Sequence, residues 1–193
     1  MRWVIPASFI SIVAALVFIK PPICLAIYLG LLIYVAYLPA GRLASWQWEK
    51  TFPLAFLPYL LALIAAAGVA EAIPPVKTEL EKTQQAQAQF FNAAAGCPLG
   101  LYLVAIQVLA LAPLVEEVVF RGLLFEEIRK RAGVVAGYIL SSGLFALLHS
   151  PGPGALPIFI VALSLVYAYR RFGLPASVAI HFFQNAVALS QSL

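Results

Sequence analysis

Residues 99–130 read LGLYLVAIQVLALAPLVEEVVFRGLLFEEIRK. An α-helix needs about 20 mainly apolar residues to cross a hydrocarbon layer of roughly 30 Å. This stretch supplies them, with two glutamates and an arginine set in the middle. A helix that is apolar all round must lie inside a large protein or a membrane, and the rest of the chain offers no such cover in water. It has 193 residues, 63% hydrophobic and 10% charged, with a mean hydropathy of +0.97. A soluble domain carries roughly 45–50% apolar and about 25% charged residues. The expectation is an all-α polytopic bundle, one integral membrane domain over 1–193 with the lipid bilayer as its solvent. A water-soluble enzyme, a disordered chain and a nucleic-acid binder are excluded.

Working outward, residues 3–19 form a first apolar run behind Arg2. It resembles a signal peptide but lacks a small-residue cleavage site, so it reads as a retained helix. Lys20-Pro21-Pro22 breaks it, and 23–38 makes a second span. Trp46 and Trp48 in the following loop suit a headgroup boundary. A third span covers 52–73. Residues 74–97 are the sustained polar stretch, expected as a solvated helical excursion outside the bilayer. Residues 99–130 then read as one long helix, interrupted by Pro113 and Gly122. Further spans cover 134–149, 155–169 and 174–189, for about seven in all (six to eight allowed).

With seven spans one side collects Arg2, Arg42, Lys50, Arg129, Lys130, Arg131, Arg170 and Arg171, and the other has Lys20, Lys77 and Lys82. The excess of positive charge on cytoplasmic loops places the N-terminus in the cytoplasm. The two cysteines, Cys24 and Cys97, show no metal-like spacing, and no disulfide framework is expected.

Ionisable groups inside a bilayer cost about 2.5–3.5 kcal/mol each at mid-helix and by default mark function. Glu116, Glu117, Arg121, His149, His181 and Asn185 all fall within or beside apolar runs, and the chain's two histidines are both among them. Glu117 and Arg121 are four apart with the acid first, the favourable order for an ion pair. Glu116 is turned about 140° from Arg121, which leaves it a free carboxylate. His181 and Asn185 share a helix face, as do Phe145 and His149. Measured from the basic helix ends at about 1.5 Å per residue, Glu116 lies about 20 Å deep and His149 about 24 Å. His181 and Asn185 lie about 12 and 18 Å deep, so a single cluster is feasible.

A carboxylate desolvated among apolar residues can act as general base on a water. A histidine can share that water, and a His–Asn pair can donate to a developing oxyanion, worth about 2.7–4 kcal/mol per donor. The set reads as amide hydrolysis by activated water. There is no H-E-x-x-H or paired E-x-x-H, and no G-x-S-x-G elbow beside Ser141, Ser142 or Ser150. A metal on Glu116, His149 and His181 stays open, since Glu/His₂ is a real ligand set. So does a structural reading, in which each histidine satisfies an interhelical hydrogen bond. Phe145 reads as packing, and Glu126 and Glu127 as a solvated helix end.

The segments Glu116-Glu117-Val118-Val119-Phe120-Arg121, Phe145-Ala146-Leu147-Leu148-His149 and His181-Phe182-Phe183-Gln184-Asn185 resemble the E-E-x-x-x-R, F-x-x-x-H and H-x-x-x-N motifs of the CPBP family. These are intramembrane glutamic endopeptidases related to type II CAAX prenyl proteases and to bacteriocin-immunity Abi proteins. The resemblance makes 99–189 the catalytic core. It implies Glu116 as catalytic base assisted by His149, His181 and Asn185 as the oxyanion site, and Glu117, Arg121 and Phe145 in support. It further implies no metal or other cofactor, a membrane-anchored protein or peptide as substrate, and a bacterial or archaeal plasma membrane as location. The alternative from another class is a non-catalytic immunity factor or scaffold on the same bundle. Less favoured is a metal-dependent membrane hydrolase.

Overall fold

The computed structural model describes residues 3–47 and 49–190; the expectations for Arg2 and Trp48 fall outside them. The described residues are helical throughout their regular structure. Helix α1 (Val4–Ile19) ends at Lys20 in a left-handed conformation (φ 49°), and α2 (Ile23–Tyr37) follows the Pro21-Pro22 break. A 3-10 turn (Leu38–Leu43) and a loop lead through a second 3-10 turn (Phe52–Ala55) into α3 (Phe56–Ala72). The polar stretch is helical, as expected: α4 (Pro74–Ala94), with Val76 and Ala94 as its buried residues.

The stretch that decides the fold is less regular than one α-helix. It runs as α5 (Gly100–Ile106), a π-helical segment π1 (Gln107–Leu111), α6 (Ala112–Glu117), a second segment π2 (Val118–Phe125) and α7 (Glu126–His149). Pro113 supplies the reason for π1. Proline lacks an N–H and crowds the carbonyl four residues back, so the turn before it must widen or kink. The helical run also passes the basic triplet at 129–131 and turns only at Gly133, where φ 88° and ψ 172° leave helical space. A residue with a Cβ rarely adopts that conformation, and glycine does so without steric cost. Gly173 (φ 90°) makes the equivalent corner between α8 (Ala155–Phe172) and α9 (Leu174–Ser190); a Cβ there would also collide with the Gln47 carbonyl.

Among the described residues, four runs are long and apolar enough to cross a membrane: Ile23–Leu43, Phe52–Ala72, the 50-residue Gly100–His149 that turns back at Gly133, and Ala155–Phe172. All seven expected spans are helical, and α1 (16 residues) and α9 (17 residues) fall outside these four runs. Large apolar side chains such as Phe18, Leu61, Ile64, Val135 and Leu147 point outward, as a lipid-facing surface requires. One core packs Phe9 of α1 against Val115, Val119, Phe120, Leu124 and Phe145; another joins α3, α8 and α9 through Tyr59, Leu165, Phe172 and Ile180.

The two ends of the bundle differ in chemistry. At one end Arg131 lies over the Trp3 ring (5.3 Å) and Arg170 over Tyr138 (5.8 Å). Nearby a cavity of about 400 Å³ is lined by Ser45, Gln47, Glu126, Arg129 and Arg170. At the other end Glu79 of α4 packs against Gly152 and Gly154, in the turn after His149. There the structure corrects an expectation: Cys24 and Cys97 form a disulfide, with Cα atoms 5.5 Å apart. Their spacing of 73 residues carries no local signal. The pairing arises because α4 returns the chain to the start of α2, where Ile27, Ala94, Cys97 and Val104 share a core. Denatured, unreduced protein is therefore expected to take up no maleimide, and two equivalents after reduction. Labelling before reduction would contradict the bond.

Candidate functional site

Three helical elements carry the polar set. Glu116 and Glu117 end α6, between the two π segments; Phe145 and His149 lie in the last turn of α7; His181 and Asn185 lie on α9. Glu116 is 17 residues before the Gly133 corner and His149 is 16 after it. The corner's two antiparallel arms thus bring both to the same level.

Glu117 and Arg121 are fully buried and paired, Oε1 to Nη1 at 3.0 Å. Arg121 also directs Nη2 to the Ala162 carbonyl at 3.5 Å and lays its guanidinium over the Phe145 ring, 4.3 Å from the centroid. The same Glu117 oxygen takes His181 Nδ1 at 3.0 Å. A carboxylate paired with arginine only accepts, so Nδ1 of His181 carries the hydrogen and Nε2 faces away from Glu117. His149 is fixed in the same sense. Its Nδ1 donates to the Phe145 carbonyl at 2.8 Å, and a carbonyl cannot donate in return.

Both Nε2 atoms then meet Glu116. His149 Nε2 is 3.6 Å from Oε2 and His181 Nε2 is 3.8 Å from the same oxygen. These separations exceed a direct hydrogen bond. Glu116 is buried, and its other oxygen accepts from the Tyr34 hydroxyl of α2 at 2.8 Å. His149 is the exposed member, with 38% of its side chain open, whereas His181 has 5%. Phe145 is the common wall: it stacks on His149 (4.2 Å, 29°) and stands edge-on to His181 (5.6 Å) and Phe120 (5.2 Å).

Asn185 takes a different place. Its amide donates to the Val108 carbonyl at 2.8 Å, which lies in the π1 segment. A π turn leaves backbone groups without their usual α partners, so Asn185 ties α9 to that irregularity and retains one amide N–H. The donor set nearest to a metal site is Glu116, His149 and His181. Among the described residues no three His, Cys, Asp or Glu side chains group as a metal centre.

Sequence reasoning missed Tyr34, a single tyrosine in an apolar helix with no motif around it. It also missed Gln107, which is buried and donates to the Ile27 and Leu103 carbonyls at 3.1 Å. The Tyr59–Gln184 hydrogen bond between α3 and α9 went unread as well. A polar residue inside an apolar run was a signal in each case, though it named no partner.

Removing one partner of a buried ion pair leaves an uncompensated charge and costs about 3–5 kcal/mol. Arg121→Ala and Glu117→Gln are therefore expected to reduce the yield of monodisperse protein and lower its Tm. Wild-type yield and Tm in both variants would contradict the pairing.

Residues 98–187 match the Rce1-like family, the type II CAAX prenyl endopeptidases. No curated protein and no solved structure matches the chain. The matched segment, just under half the chain, contains all three motifs together with the Glu116, His149 and His181 convergence. The apolar helices make the chain an integral membrane protein, and its residues 98–187 are similar to the CPBP/CAAX protease family.

Proposed function

We propose that the protein is an intramembrane endopeptidase that hydrolyses a peptide bond of a membrane-associated protein or peptide. The cleavage uses a water activated by Glu116 and His149, without a covalent intermediate. The observation that carries the reading is the approach of His149 Nε2 and His181 Nε2 to one Glu116 oxygen, at 3.6 and 3.8 Å. Polar groups at such separations suit joint action on one water.

Charge bookkeeping assigns the proton. Glu116, Glu117 and Arg121 sum to one negative charge in a setting where isolated charge is costly. One further proton makes the cluster neutral. Held on His181, with Glu117 against its Nδ1, that proton gives Nε2–H as a donor for the oxyanion. The remaining N–H of Asn185 is the second donor. Glu116 takes a proton from water as the oxygen attacks the scissile carbonyl. The tetrahedral intermediate then collapses with cleavage of the C–N bond. The proton passes through Glu116 or His149 to the departing amine, leaving a carboxylic acid and an amine.

Orientation belongs to the same proposal. The end bearing Trp3, Arg129–Arg131 and Arg170 faces the cytoplasm. The Cys24–Cys97 end faces the oxidising side, where disulfides persist. In cysteine-free protein in intact cells, Gln85→Cys on α4 is expected to react with an impermeant maleimide, and Lys130→Cys to react only after lysis. The reverse pattern would invert the topology.

Cleavage of a quenched peptide library in detergent tests the activity directly. Wild type is expected to cleave in the presence of a strong chelator, and Glu116→Gln, which keeps shape and loses the base, to fall by at least a thousandfold in kcat (about 4 kcal/mol). Activity retained in Glu116→Gln would contradict the assignment. Activity lost with chelator would favour the metal reading.

A further inference from the structure

Tyr34 stands outside the three motifs and outside the matched residues 98–187, yet its hydroxyl donates to Glu116 Oε1 at 2.8 Å. We infer that Tyr34 is a positioning residue of the site: it holds one carboxylate oxygen of Glu116 so that the other faces His149 and His181. The inference rests on Glu116 being the base.

The terminal torsion of a glutamate is broad, so a buried carboxylate with one free end can turn away from its partners. A phenol on Oε1 removes that freedom. The bond is charge-assisted, which makes it short and strong. Tyr34 is itself fixed. Its ring packs on Phe9 (6.3 Å), and Phe9 also packs edge-on against Phe120 (6.5 Å), three residues past Glu117. Helix α2 is held at the right height by the Gln107 bond to the Ile27 carbonyl and by the disulfide at Cys24. The half of the chain outside the family match thereby reaches the reacting carboxylate.

A bland alternative exists, in which the helix merely satisfies a half-buried hydroxyl. Tyr37 provides the internal comparison. It lies one turn on, packs on the same Phe9 (5.1 Å), and donates to Ser8 Oγ at 2.7 Å rather than to Glu116.

The experiment compares wild type, Tyr34→Phe and Tyr37→Phe in detergent by reporter cleavage and by infrared spectroscopy. The Glu116 carboxyl absorption is identified by its loss in Glu116→Gln. Tyr34→Phe is expected to lower kcat ten- to a hundredfold, the range for a hydrogen bond to a charged group, with KM within twofold and the Glu116 absorption shifted. Tyr37→Phe is expected to leave both unchanged. Equal kcat losses in the two variants, or an unchanged kcat and absorption in Tyr34→Phe, would overturn the inference. If wild type cleaves no reporter, the proteolytic reading fails by itself. The absorption then decides alone: a shift supports Tyr34 holding Glu116, and no shift overturns it. Should Tyr34→Phe aggregate, 3-fluorotyrosine at position 34 keeps the ring and alters the hydroxyl's acidity, and the same shift is read.

Discussion

A fully buried arginine holds the centre of this bundle together. Arg121 has no water to turn to, and a lone guanidinium in an apolar interior costs far more than a domain's margin of stability. Glu117 is the answer on its own helix, and His181 on α9 completes it through the same carboxylate oxygen. The result couples two helices that are 64 residues apart in sequence. Because Glu117 is spent on this pairing, its neighbour Glu116 is left facing the histidines. The ion pair thus separates two adjacent glutamates into one bound to arginine and one turned toward the two histidines.

Backbone irregularity serves the same end. The π segments on either side of α6 turn the helix surface that carries Glu116 and Glu117, and the first exposes the Val108 carbonyl that Asn185 takes. Gly133 reverses the chain so that His149 arrives level with Glu116. Phe145 then fixes both imidazole rings by stacking on one and standing edge-on to the other. None of these devices performs chemistry. Together they hold three side chains from three elements within 4 Å of a common point.

The helical segments were legible from hydropathy because a membrane helix must be apolar along its length, and that is a one-dimensional property. The Glu117–Arg121 pair was legible for a similar reason: i,i+4 spacing is local. The same logic separated Glu116 from Arg121 by angle, and depth arithmetic brought His149 and His181 to it. What lay hidden depended on three dimensions. The Tyr34 contact spans 82 residues and the disulfide 73, and no periodicity encodes either. The π turns were hidden too, since Pro113 announces a disturbance but not its form. Asn185 was expected to share a face with His181, and its backbone partner on the facing segment, Val108, was invisible.

In the proposed reaction a buried carboxylate delivers water directly to the peptide bond. Cleavage of a reporter in H₂¹⁸O with added hydroxylamine tests it most directly. Direct attack predicts one ¹⁸O atom in each new C-terminal carboxyl group and no hydroxamate, because no acyl group is ever attached to the protein. A hydroxamate product, or a mass adduct of the acyl fragment on the protein, would mean that a side chain attacks first and would contradict the account.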